Sequence, residues 1–166
     1  MSRLATSETM MPDDPISFDI NGLYILLSDL GSERQFHWAF YLAKDLNSGP
    51  MYHVVNNADT QHQWQYISRM MTGTPKDKTL LVALKIAMMD PVLHDALGAR
   101  LDAVSITPAP VTCRIWLKRA LEALDDEGYI QLIATVDDVE LEAEMMAVEN
   151  RARRLRTVAT SKLGLV

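Results

Sequence analysis

The side chains of this chain suited to nucleophilic or proton-transfer chemistry are one cysteine, Cys113, and four histidines, His37, His53, His62 and His94. A cysteine attacks as the thiolate, so it needs a depressed pKa and a base close by. Thr112 has the chemistry of a helix N-cap. That puts Cys113 in a first turn, where unpaired N–H groups and the macrodipole favour negative charge. Arg114 adds a positive charge beside it. The base must come from the strands: His37 stands in Phe36-His37-Trp38-Ala39-Phe40-Tyr41-Leu42, and His53 in Met51-Tyr52-His53-Val54-Val55. A hairpin symmetric about Asp45 sets these two imidazoles opposite each other on one face.

A plainer reading stands beside this one. Cys113 shares an apolar helical stripe with Trp116, Leu117, Ala120 and Leu124, where a cysteine packs as a small hydrophobe. His37 and His53 are then sheet histidines with satisfied hydrogen bonds. His62, in the polar turn from Asp59 to Gln63, reads as solvated, and His94, beside Asp95 in a helix, as a surface residue. His53 and His62 lack a third ligand at regular spacing, so neither a metal nor a cofactor is expected.

Other chemistries lack their signatures. The sequence has no Gly-rich phosphate loop, no HExxH and no GxSxG. A lone cysteine excludes an intrachain disulfide, a CxxC pair and a cysteine-cage zinc site. A net charge of −6 disfavours bulk attraction to nucleic acid. No apolar run is long enough for a membrane span, and the N-terminus has no signal-like apolar region, so a cytoplasmic location is expected. The ten methionines read as core filler or as a pliable apolar pocket.

The elements that must position these groups fit one α+β domain over 16–166, after a flexible tail over 1–15 that is polar and carries Pro12-Asp13-Asp14-Pro15. Strands are expected at 23–27, 36–42, 51–55, 64–70 and 79–88, with a polar connection over 28–34 and Lys85 on a solvated face. The short loop over 44–50 makes its two flanking strands an antiparallel pair. Asp90-Pro91 opens a helix to about Ala99, and Thr112 opens another that Gly128 ends. A short strand follows over 129–134. A last helix over 137–158 carries Leu141, Met145, Val148, Ala152 and Leu155 at 4-3 spacing. That seam packs either on the protein's own core or on a second copy. In the homodimer, Asp137, Asp138 and Glu140 would meet the other copy's Arg151, Arg154 and Arg156.

His37-Trp38-Ala39-Phe40-Tyr41-Leu42 resembles the His-Trp-Ala-x-Tyr-Val strand of the lecithin retinol acyltransferase-like and phospholipase A/acyltransferase-like proteins, circularly permuted members of the NlpC/P60 papain-like superfamily. Met51-Tyr52-His53-Val54 is similar to their second histidine strand. Thr112-Cys113-Arg114-Ile115-Trp116 stands where they have Asn-Cys-Glu-His-Phe. The chain is also similar to small fungal proteins with the same His-Trp and Cys-x-x-Trp landmarks.

The resemblance implies a central antiparallel sheet packed by helices, with Cys113 as nucleophile, His37 as general base and His53 orienting it. It implies a hydrolase or acyltransferase acting on an amide, ester or thioester through a thioacyl intermediate. An arginine-rich helix stands where many of those proteins have a hydrophobic anchor, which points to a small soluble substrate. Two other functions compete: a natural-product cyclase or isomerase using the same cleft without hydrolysis, and a catalytically silent binding or dimerisation protein.

Overall fold

The computed structural model describes residues 7–32 and 35–165. Its strands are β1 (Ser7–Met10), β2 (Gly22–Ser32), β3 (Gln35–Leu42), β4 (Ser48–Val55), β5 (Gln65–Thr72), β6 (Leu80–Met88) and β7 (Arg156–Thr160); its helices are α1 (His94–Asp102), α2 (Cys113–Asp126) and α3 (Val136–Arg153). The strands form one sheet in the order β1-β7-β6-β2-β3-β4-β5. Every neighbouring pair is antiparallel except β6 and β7, which the chain joins through its helices. The fold is thus α+β.

The period-two pattern decides what each sheet face meets. Leu23, Ile25 and Leu27 of β2 and Phe36, Trp38, Phe40 and Leu42 of β3 share a core with Leu97, Leu101, Trp116, Leu117, Leu121, Val139 and Ala143 from the helices. On the opposite face, Tyr24, Leu26, Tyr41, Ala43, Leu80 and Ala83 are covered by Ile16 and Phe18. All three α-helices therefore lie on one side of the sheet. Trp116 fixes α2 there: its ring lies 5.8 Å from Phe40 and 5.5 Å from Tyr66, centroid to centroid.

Several expectations need correction. Residues 7–10 are not tail: they pair with β7, Ser7 opposite Ala159, while residues 1–6 lie outside the described residues. The polar connection over 28–34 is largely strand, since β2 continues to Ser32; residues 33 and 34 lie outside the described residues. Over 129–134 only Leu132 makes a bridge, to Gly164. Lys85 is 7% exposed and bound to Asp19 instead of facing water. His94 is buried, its Nε2 3.1 Å from the Met89 carbonyl oxygen, which offers the ring an acceptor away from water.

The last helix ends earlier than expected. Arg154 takes a left-handed conformation, φ 54°, and the chain then enters β7. Leu155 lies beyond the helix, and Arg156 is 1% exposed in β7, not on a helical surface. The buried face of α3 is Val136, Val139, Ala143, Ala147 and Asn150, whereas Leu141 and Met145 of the expected seam are 55% and 63% exposed. Small side chains on the inner face let α3 lie close against β6 and β2. The three acids assigned to a dimer, and Arg151 among the arginines, have partners within the chain. Asp137 pairs with Lys118, Glu140 with Arg114 and Lys118, and Arg151 with Asp29. Asp138 caps its own helix by accepting from the Thr135 N–H.

Candidate functional site

The β3–β4 hairpin brings His37 and His53 together. Its ladder pairs Phe40 with Tyr52 and Tyr41 with Met51, which centres the turn on Leu46 rather than Asp45. The imidazoles are therefore diagonal neighbours instead of directly opposite. They still meet, with His37 Nε2 and His53 Nδ1 2.7 Å apart and the rings near-perpendicular. Gly49 permits this hairpin: a Cβ there would sit 1.9 Å from the Leu42 carbonyl oxygen, so no larger residue fits without moving the strand. Asp45 holds the turn through bonds from the Asn47 and Ser48 N–H groups and the Ser48 hydroxyl.

Beyond those two rungs the β3–β4 ladder stops. Main-chain groups of alternate residues point to opposite neighbours in an antiparallel sheet. Ala43 exchanges bonds with Asn21 and Gly22 on the β2 side. By alternation His37, Ala39 and Tyr41 also bond toward β2, and Trp38 turns its N–H toward β4, into the opening. There it faces the Cys113 sulfur and favours the thiolate. The N–H groups of Cys113 and Arg114, at the start of α2, favour the thiolate in the same way. Thr112 is the N-cap as expected, its hydroxyl accepting from the Ile115 N–H at 3.4 Å.

The thiol thus reaches the strand opening from the helix-bearing face, against the main chain next to His37. The imidazole pair hangs from the other face, since His37 alternates with the core residue Trp38. His62, in a left-handed turn, and His94 take no part.

Burial sets the charge states. The Cys113 thiol is 7% exposed, and burial pushes its pKa up, although the N–H bonds and Arg114 oppose this. Burial also lowers the His37 pKa. His53 is pushed down to about 4, first by burial and then by the positive charge of protonated His37 and of Arg69. At neutral pH the resting site therefore holds a thiol and two neutral imidazoles, not a thiolate–imidazolium pair. The expected help from Arg114 is offset. Its guanidinium binds Glu140 at 2.7 Å and Glu144, and lies 5.0 Å from the Trp38 ring centre. Two carboxylates from α3 thus match its charge.

Arg69 escapes a reading of the sequence for nucleophiles and bases. On β5 it pairs across from Met51, on the sheet face that carries His53. The strand alternation of Tyr66, Ile67, Ser68 and Arg69 was the available signal. Among the described residues no three His, Cys, Asp or Glu side chains converge as a metal site.

The architecture and this site define an α+β protein with a helix-borne thiol and a strand-borne histidine pair at an opening in its sheet. The chain belongs to the family of unknown function DUF6914, whose model matches residues 21–159 and so spans β2 through most of β7. No curated protein and no solved structure matches it. No helix among the described residues is long and apolar enough to cross a membrane.

Proposed function

We propose that this chain is a cysteine-dependent hydrolase or acyltransferase acting on an amide, ester or thioester of a small molecule, with a permuted papain-like arrangement of its site. The observation that supports the reading is that Cys113, at the start of α2, lies against the main chain of β3 next to His37, whose Nε2 meets His53 Nδ1. The thiol and the imidazoles lie on opposite faces of the sheet, so the proposed proton transfer runs through the opening between β3 and β4.

The charge states suit a neutral general-base mechanism. For Nδ1 of His37 to accept the thiol proton, Nε2 must carry the ring hydrogen and donate it to His53 Nδ1. The low His53 pKa keeps that nitrogen an unprotonated acceptor. As sulfur bonds to the substrate carbonyl carbon, the thiol proton passes to His37 and the carbonyl π pair moves onto oxygen. Collapse of that intermediate expels an alcohol, amine or thiol, which takes the proton from His37 and leaves a thioacyl Cys113. Water, or an acceptor amine, repeats the sequence on the thioester. The Nε2–H···Nδ1 bond becomes charge-assisted while His37 is protonated, so His53 both orients the base and stabilises it.

Incubation with a panel of p-nitrophenyl esters and acyl thioesters, read by release of the leaving group and by intact mass, tests this. An acyl adduct on Cys113 that vanishes in Cys113→Ala and forms at least about a hundredfold more slowly in His37→Ala supports it.

The buried, protonated thiol favours one second reading, in which the His37–His53 pair alone moves protons in a non-hydrolytic isomerisation or cyclisation. Activity that survives Cys113→Ala but not His37→Gln belongs to that reading.

A further inference from the structure

We infer that a cavity on the sheet face away from the helices is a binding site for a small zwitterion of the α-amino acid type. The cavity has a volume of about 350 Å³, at the low end of the ~300–1,000 Å³ typical of small-ligand sites. Lys85, on the central strand β6, lies in its wall with its side chain 9% exposed. Its ammonium donates to Asp19 Oδ2 at 2.6 Å. An ammonium has three donors, and one carboxylate oxygen takes one of them. Tyr24, also in the wall, accepts from the Asp19 N–H at 2.8 Å, which leaves its own O–H as a donor. Ser17 adds a hydroxyl, and Glu8 of β1 stands at the rim.

A buried lysine–carboxylate pair is weak support for stability, because an apolar pair of similar volume often does as well. Here the pair opens into a cavity, and the distribution of charge selects the ligand. A simple anion drawn to Lys85 would meet Asp19 and Glu8. A simple cation drawn to those carboxylates would meet the ammonium. A molecule with both charges fits: its carboxylate takes the spare donors of Lys85 and Tyr24, and its ammonium faces Asp19, which is 63% exposed, and Glu8. This site is remote from the thiol and does not depend on its chemistry.

The test is calorimetric titration of the full chain with each common α-amino acid, followed by the deamino and decarboxy analogues of the strongest binder. The expected result is an amino acid that binds at least about tenfold more tightly than either analogue. Lys85→Met should weaken it by about tenfold or more. Glu8→Gln should weaken the amino acid while leaving the deamino analogue unchanged. Cys113→Ala should bind as the wild type does. Absence of binding by every amino acid at about 10 mM overturns the inference. So does equal binding of the parent and its analogues, or an unchanged affinity in folded Lys85→Met. If Lys85→Met fails to fold, Glu8→Gln decides, and an unchanged affinity there is equally fatal.

Discussion

Replacing His53 with Gln should make the protein less sensitive to acid. The folded protein holds the His53 pKa down to about 4, against an ordinary value of 6.5. Folding therefore favours the neutral ring, and the unfolded chain binds the extra proton first. The resulting stability is fully present above about pH 6.5 and is lost as the pH falls through about 4. A gap of about 2.5 units is worth at most ~3 kcal/mol at ~1.4 kcal/mol per unit. Because the imidazole is partly exposed, screening reduces this to about 1–2 kcal/mol. Glutamine keeps an acceptor for His37 Nε2–H and has no proton to gain. Urea unfolding of both proteins at about pH 7.5 and 4.5 gives the comparison, with the wild type losing about 1–2 kcal/mol more than the variant. Equal losses in the two proteins, or a His53 ring that titrates above pH 6 by NMR, would refute the account of a neutral acceptor at the site.

Alkylation of Cys113 by iodoacetamide should stay slow through neutral pH and rise only at higher pH than for an ordinary cysteine, because burial holds the thiol protonated; a rate that plateaus near neutrality contradicts this. Gly49→Ala should destabilise the hairpin by about 2–3 kcal/mol in chemical denaturation, since the added carbon meets the Leu42 carbonyl oxygen; a loss below about 0.5 kcal/mol would mean the strands can part freely. Arg156→Met should cost about 2 kcal/mol, because the carbonyl oxygens of Asp14, Pro75 and Asp77 lose a charged donor, while Pro75 and Asp77 keep the N–H groups of Ile16 and Leu80; unchanged stability would show that water replaces it without penalty. Leu141 and Met145 are the part of the sequence seam still open to a second copy. Sedimentation should show a dimer for the wild type and a folded monomer for Leu141→Ser/Met145→Ser, and a monomeric wild type removes that interface.

The strands around the site were legible because each carries a strong local signal. Phe36, Trp38, Phe40 and Leu42 alternate with His37, Ala39 and Tyr41, so the pattern assigned both the core face and the imidazole face of β3. Thr112 announced α2 through its capping chemistry. The end of α3 was harder. Its inner face is built from Val, Ala and Asn, while the larger Leu141 and Met145 point outward, so apolar spacing selected the wrong stripe. Arg156 extends a run of arginines in the sequence, yet Thr157 and Val158 beside it are β-branched strand formers. The burial of Lys85 depends on Asp19, 66 residues away along the chain, and no local pattern carries such a pairing. The strand opening at Trp38 is likewise a tertiary feature. Sequence can place a cysteine at a helix start and a histidine on a strand, but not show where a ladder ceases.

The place of β7 in the sheet bears on how the molecule assembles during synthesis. Strands β2 to β5 are successive antiparallel neighbours, and their pairing closes short loops. Strand β1 pairs only with β7, so its rungs join Ser7 to Ala159 and Met10 to Arg156. Such distant closure carries a larger entropic cost and comes late in folding. On a ribosome, β1 must wait unpaired while the rest of the sheet forms. It gains its neighbour only after β7 has emerged and docked in parallel beside β6. Core substitutions in β2 or β3 should accordingly slow refolding, whereas those in β1 should chiefly speed unfolding.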